Sequence, residues 1–279
     1  MAFMARVASR TIKIVGDGLA YLFAALFLFP LYWMISGAFK NQSSSVKLPP
    51  EWIPSNPTLD NFLKLIETGF IFRWLANSVI VAVISTVGVC LIASMAGYAL
   101  TKRKFTGADV VFTIVVIAMF TPRQITLVPL FTMMRDLNLV NHLASAILPV
   151  LCIPFGVFLM RQFSQTVPTE LLEAGRIDGC SEIGLFFKIY LPVVKPALGA
   201  LAIFTFTYSW NDYLWQLVML SDNVKMTINV GISTLVTEYS ANYGLQMAGA
   251  TLGFIPMFII FLIFQKNFVK GITLGGIKG

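Results

Sequence analysis

The sequence predicts an all-α protein that crosses a membrane six times. Three observations carry this prediction. Of the 279 residues, 57% are hydrophobic and only 12% are charged, with a mean hydropathy of +0.79. A water-soluble domain cannot hide that much apolar surface. The apolar residues also fall into runs too long for strands. Finally, the basic residues sit at the ends of those runs. A net charge of +7 invites a nucleic-acid reading, but no separate basic domain exists to support it.

In order, residues 1–15 form an N-terminal arm carrying Arg6, Arg10 and Lys13. The first span covers about 16–39. This start resembles a signal peptide, and Ser36-Gly37-Ala38 resembles its cleavage site. The apolar run exceeds a usual signal core of about 7–15 residues, so it reads as an uncleaved span. Residues 40–76 hold Pro49, Pro50, Pro54 and Pro57 and form an external loop. Within it, Leu59 to Ile66 suits a short interfacial helix capped by Thr58 or Asp60. Span two covers 77–101. Its Ala93 and Gly97, four apart, permit close helix packing, and Lys102, Arg103 and Lys104 stop it. Span three covers 109–122. About fifteen residues of helix reach about 22 Å, which leaves Arg123 near the outer interface, where it can snorkel. Gln124 to Leu139 fits an outer amphipathic helix or a re-entrant one, with Pro129 disturbing it. Span four covers 142–160 and ends at Arg161. Span five covers 197–220, and 221–246 form a second external region. Span six covers 247–268, with Gly249 and Gly253 in a G-x-x-x-G arrangement and a kink at Pro256. Residues 269–279 are a glycine-rich tail.

Thirteen of the twenty Lys and Arg residues lie in the arm, at 102–104, within 161–196, or as Lys266, Lys270 and Lys278. The other seven (Lys40, Lys47, Lys64, Arg73, Arg123, Arg135 and Lys225) spread over the longer loops. The positive-inside rule therefore puts both termini and residues 161–196 in the cytoplasm, a parity that six spans satisfy.

Residues 161–196 are the one long polar segment in the second half of the chain. Two short helices are predicted there. The first begins near Pro168, with Thr166 as its N-cap, and stops at Gly179. Its apolar stripe is Leu171, Leu172 and Ile177. The second runs from Ser181 to Leu191 with Ile183, Phe186, Phe187 and Tyr190 at helical spacing, and Pro192 ends it. Between the stripes, small residues (Ala174, Gly175, Gly179) alternate with charged ones (Glu173, Arg176, Asp178). Small residues let another backbone approach and charges set orientation, which suits a docking surface; a plain loop with two surface helices is the alternative.

The stretch EAGRIDGCSEIGLFFKIYLP resembles the EAA loop of the inner-membrane permeases of bacterial binding-protein-dependent ABC importers. Glu173, Ala174, Gly179, Ile189, Leu191 and Pro192 match that pattern; Gly175 stands where a second Ala is usual. The resemblance extends to PPEWIPSNPTLDNF, SWNDYLWQLVML and FVKGITLGGIKG, which are similar to the shorter permease of the maltose-type, carbohydrate-importing branch. It implies a type I importer transmembrane fold over residues 16–268, with its core at 72–268, in the bacterial cytoplasmic membrane. It also implies partners: a second homologous permease, two copies of a cytoplasmic ATPase that bring ATP and Mg, and an extracytoplasmic solute-binding protein. Glu170, Leu171, Glu173, Ala174, Gly175, Arg176, Asp178, Gly179, Leu191 and Pro192 would couple to the ATPase. Glu173 would orient the docking helix, while Ala174, Gly175 and Gly179 would keep the contact close. The tail, through Gly275, Gly276 and Lys278, would reach the same partner.

The chain has no G-x-x-x-x-G-K-[ST] sequence, so it holds no phosphate loop of that kind. It reads as a non-catalytic transport subunit without a cofactor or metal of its own. Cys90, Cys152 and Cys180 have no ligand spacing, and His142, the one histidine, sits at a helix end with no cluster around it. Polar residues within a span are the substrate-path candidates: Tyr208, Trp210, Asn211 and Asp212. Aromatic faces stack on sugar rings, and amides or carboxylates bond hydroxyls. The alternatives are an importer of a non-sugar solute and an ion-coupled secondary transporter, though the spans hold few acids with which to build an ion path.

Overall fold

The computed structural model describes residues 2–103, 105–238 and 242–276, with side chains at 13–103, 105–235 and 242–263. Among the described residues every regular element is helical. They run α1 (Ala2–Ala38), α2 (Gln42–Ser45), α3 (Asp60–Glu67), α4 (Ile71–Lys102), α5 (Ala108–Met119), α6 (Arg123–Asp136), α7 (Leu143–Leu151), α8 (Pro154–Gln165) and α9 (Thr169–Ile177). Then come α10 (Glu182–Gly184), a π-helical turn (Leu185–Tyr190), α11 (Leu191–Val193), α12 (Lys195–Trp210), α13 (Leu214–Met219), α14 (Ile228–Glu238) and α15 (Tyr243–Gly276). Four stretches are long and apolar enough to cross a bilayer alone: Lys13–Ala38, Ile71–Lys102, Leu143–Gln165 and Tyr243–Ile263. Two more arise if bent pairs count, α5 with α6 at 104° and Glu182–Val193 with α12 at 79°. The chain is a multi-pass membrane protein.

The described residues divide into two compact units. The first comprises the chain up to Gly69 together with Ile232–Phe254. Its loop after α1 is pinned by side chains. Asn61 on α3 donates to the carbonyls of Ala38 (2.9 Å) and Lys40 (2.7 Å). Tyr32 and Ser36 both donate to the Trp52 carbonyl. The Thr58 hydroxyl accepts the Asp60 N–H at 3.1 Å and so marks the start of α3. Close approach is tight at Gly37, where an added Cβ would lie 1.9 Å from Met247 Sδ.

The second unit comprises Phe70–Gly231 and the chain from Ile255 onward, and α4 is its axis. This helix contains no proline, and along its middle the buried face is made of small or β-branched residues: Ser78, Val81, Ala82, Ser85, Val89, Ala93, Ser94 and Gly97. Backbones can therefore touch. A Cβ on Gly97 would lie 2.8 Å from the Met160 carbonyl carbon, and one on Gly156 would lie 3.2 Å from Ala93 Cβ. The spacing of Ala93 and Gly97 thus seats α8 against α4. At one end, the segment after α13 is tied down by Trp74 Nε1 on the Asn223 carbonyl (2.7 Å) and by Asn77 on the carbonyls of Val224 and Met226.

Several expected boundaries move. The third span stops at Met119, twelve residues long; Pro122, extended at φ −63° and ψ 132°, turns the chain into α6. α6 runs through Pro129 and buries Met134 beside Trp215, Met219 and Leu220. The fourth span breaks at Cys152–Ile153, because Pro154 at the start of α8 has no N–H to continue α7. The fifth breaks after Trp210. Residues 221–246, expected to form an external region, contain α14, whose Ile228, Val230 and Leu235 are buried. Lys104, Lys278 and every side chain beyond Ile263, including the tail contact expected of Gly275, Gly276 and Lys278, fall outside the described residues.

Candidate functional site

At the Lys102 end of α4 lies a pair of short helices, α9 and the Glu182–Val193 segment. Pro168, extended, is the N-cap of α9. Thr166 is not: its hydroxyl donates to the Phe163 carbonyl at 2.8 Å and closes α8 instead. α9 ends in a Schellman motif, with Cys180 N–H on the Gly175 carbonyl (2.9 Å) and Gly179 N–H on the Arg176 carbonyl (3.1 Å). That motif needs a left-handed residue, and Gly179 supplies it at φ +79°. Ser181 then caps the next helix by accepting the Gly184 N–H at 3.2 Å. Pro192 does not end that helix; the break comes at Val194. The preceding π-helical turn Leu185–Tyr190 widens the ladder, so the proline ring and its missing N–H are accommodated.

The pair is anchored inward by Leu172, Leu185, Phe186 and Tyr190, which join one core with Tyr98, Met160, Ala197 and Leu201. Tyr190 also shares a buried hydrogen bond with the Ser164 hydroxyl. Leu191 packs on the same core, and Pro192 is exposed. Outward, Leu171 (45%), Ile177 (87%), Ile183 (72%) and Phe187 (50%) are exposed. The expected apolar stripes are therefore split: one residue of the first faces the core and two face out.

Gly175 and Gly179 each have a place within the chain's own packing. Gly175 does not face outward. It is buried, and an added Cβ would lie 2.5 Å from Ile189 Cδ1 and 2.6 Å from Leu185 Cδ2. Its smallness lets the two helices of the pair meet each other. Gly179 adopts a left-handed backbone that favours glycine, with open space around it within this chain. Ala174, with Glu170, Glu173 and Asp178, is exposed.

Within the chain, the acid that ties the pair to α4 is Glu182, which sequence reasoning missed. Its Oε1 takes Arg103 Nη1 at 2.6 Å and Arg176 Nε at 3.1 Å, and its Oε2 accepts from the Tyr98 hydroxyl at 3.3 Å. The hydrogen bond from Arg176 holds the Glu182 carboxyl below the usual range. Lys102 Nζ adds a bond to the Val167 carbonyl at 2.6 Å. The basic stop of span two thus grips the docking pair. The available signal was an acid in a helix's first turn on the same predicted side as a basic cluster.

α12 carries the second site at its other end, about 24 Å along a helix of sixteen residues. The bend between α5 and α6 opens a cleft of about 500 Å³, lined in part by Thr121, Arg123, Cys152, Phe155 and Tyr208. Arg123 Nη2 donates to Asp212 Oδ2 at 3.0 Å, and its guanidinium lies 4.8 Å from the Tyr208 ring centre. Of the four substrate-path candidates, the structure brings Tyr208 and Asp212 together. It separates the other two: Trp210 is buried against Phe206, and Asn211 caps its own helix by donating to the Thr207 carbonyl at 2.9 Å. Arg123, expected to snorkel near the outer interface, joins this cluster. Among the described residues no three His, Cys, Asp or Glu side chains converge on a metal-sized site.

Residues 88–274 match the family of binding-protein-dependent transport system inner membrane components. Over 265 residues the chain is 40% identical to the arabinooligosaccharides transport system permease protein AraQ of Halalkalibacterium halodurans, covering 94% of this chain and 95% of the relative. It is 32% identical to the lactose transport system permease protein LacG of Rhizobium radiobacter, over 99% of this chain and all of that one. Its fold matches a chain of a bacterial ABC transporter that imports the acidic polysaccharide alginate, with a TM-score of 0.83 and 23% identity over 93% of this chain and 97% of that one.

Proposed function

Because the chain belongs to the family of binding-protein-dependent transport system inner membrane components, we propose that it is the permease subunit of an ATP-driven importer for a sugar or oligosaccharide. It forms half of the translocation pore, and a second, homologous permease forms the other half. Two cytoplasmic ATPase subunits bind the α9 pair and supply the ATP and Mg chemistry. An extracytoplasmic solute-binding protein delivers cargo at the opposite face of the bacterial inner membrane. The observation that carries this reading is the docking pair itself. It exposes Leu171, Ile177, Ile183 and Phe187 within the polar stretch 161–196, while its opposite side is built into the core of α4 and α12. Exposed apolar residues of this kind suit a protein partner, and the pair's packed inner side would pass the partner's motion to the spans. Closure of the ATPase dimer then biases a two-state, alternating-access equilibrium. The sugar class is supported by the arabinooligosaccharide and lactose relatives.

The test is ATP hydrolysis by the reconstituted complex of both permeases, ATPase and binding protein. Stimulation by one sugar is the expected result. ATPase that co-purifies but ignores every sugar would keep the permease and reject the carbohydrate reading. No bound ATPase with the α9 pair intact would reject the docking role.

A further inference from the structure

The reading of the cleft as part of a sugar path leaves open which sugars it accepts, and its charge balance bears on that question. Arg123 and Asp212 are the only charged side chains lining the cleft and its smaller neighbour among the described residues. Arg123 is half exposed (46%), whereas the Asp212 carboxylate is nearly covered (7%). The carboxylate therefore sits behind the guanidinium and cancels its charge. One N–H of the guanidinium is committed to Asp212, and a guanidinium has five. A further side-chain hydrogen bond joins the guanidinium to Tyr208; the remaining N–H groups can donate into the cleft, whose walls include Tyr208, Phe155 and Thr121.

We propose that this cleft is a subsite for neutral sugars, and that Asp212 is a positioning residue that excludes acidic ones by neutralising Arg123. Hydroxyl groups accept from the free N–H donors while a sugar ring packs against Phe155, since Arg123 and Phe204 already flank the Tyr208 ring. A uronate or other anionic sugar has two routes to Arg123, both unfavourable. It can displace Asp212, leaving a nearly buried carboxylate unpaired. Or it can bind beside the intact pair and be repelled by Asp212 at short range. Removing the Asp212 charge removes both obstacles and leaves a free guanidinium, the group best suited to a carboxylate.

Cys152 lines the same cleft and is exposed, which provides a readout independent of the binding protein's own selectivity. The assembled complex would be labelled with a maleimide, and modification of Cys152 followed by mass spectrometry of this chain. Arabinotriose, maltotriose and lactose serve as neutral probes and trigalacturonate as the acidic one. In the wild type at least one neutral probe should slow labelling and trigalacturonate should not. In Asp212→Asn, trigalacturonate should protect at concentrations about tenfold below those tried without effect on the wild type, an affinity gain of the size one released charge pair provides. The double variant Arg123→Gln/Asp212→Asn should lose that gain, which separates charge from loosened packing. Equal protection of the wild type by trigalacturonate overturns the proposal, as does an assembled Asp212→Asn complex that gains nothing. Protection by no probe also overturns it; if sugar still stimulates ATP hydrolysis in that sample, only the cleft assignment fails and the importer reading stands. The wild-type comparison decides between neutral and acidic sugars whether or not the variants assemble.

Discussion

The two ends of α12 hold their charges differently. Beyond its Lys195 end, Glu182 gathers Arg103, Arg176 and Tyr98 in the open, with the charged side chains 37–51% exposed. Beyond its Trp210 end, one carboxylate is nearly covered and has a single guanidinium partner. An exposed network is screened and weakly held per pair, so it tolerates rearrangement. A covered carboxylate is costly to separate from its partner, so that pair resists movement. The first arrangement suits a part that must follow another protein. The second suits a wall that must keep its shape.

The largest expected effect tests the docking end through packing rather than charge. Gly175→Leu would drive a side chain into Leu185 and Ile189, and overpacking of this kind costs about 1–3 kcal/mol or more. The α9 pair should separate, ATPase should no longer co-purify, and uptake should fall to background. Ala174→Leu, on the exposed side, should leave the pair intact; equal loss of co-purification in both variants would show that Gly175 is no more critical than its exposed neighbour.

Next comes Asp212→Ala, which leaves Arg123 without its partner. Because Arg123 is half exposed, we expect a loss of about 1–2 kcal/mol, below the range for fully buried pairs, seen as a lower unfolding midpoint of the purified complex. An unchanged midpoint would mean the pair does not stiffen the cleft. Gly179→Asp follows, with a strain of about 1 kcal/mol confined to one turn. Uptake should drop severalfold with normal amounts of protein in the membrane; full uptake would argue against the role of this turn in coupling.

The smallest effect is expected of Glu182→Gln, about a twofold rise in ATP consumed per sugar imported, as fits an exposed network. The sign with pH follows from its depressed carboxyl. The network's contribution is complete above the unfolded carboxyl value and is lost as pH falls through the lower folded value. Wild-type coupling should therefore weaken on acidification and at high salt, while the variant should respond to neither. Parallel responses in the two proteins would remove Glu182 from the coupling account.

The same contrast explains what could be read from the chain alone. The docking pair is written in about twenty consecutive residues, so its helices and its glycine stop were visible as local pattern. The direction in which Gly175 points was not, because a small residue suits an internal contact as well as an external one. The break at Pro192 was misplaced because a π-helical turn has no sequence period to reveal it. The cleft joins residues 89 positions apart. Tyr208 and Asp212 were legible as polar residues within an apolar run. That Arg123 meets them depends on a 104° bend after α5, which hydropathy does not encode. The interruptions after Leu151 and Trp210 escaped for the same reason, since the apolar runs continue across them.

The left-handed turn at Gly179 also has a genetic consequence. Every single-base missense change of a glycine codon installs a Cβ: the reachable residues are Ala, Val, Ser, Cys, Arg, Trp, Asp and Glu. Asn, which tolerates this backbone well, is two changes away. The one near neighbour that this backbone tolerates, Asp, adds a charge, so no single-base change is silent. Random mutagenesis selected for failed uptake with the protein still in the membrane should return to this codon repeatedly, while the exposed codons beside it drift.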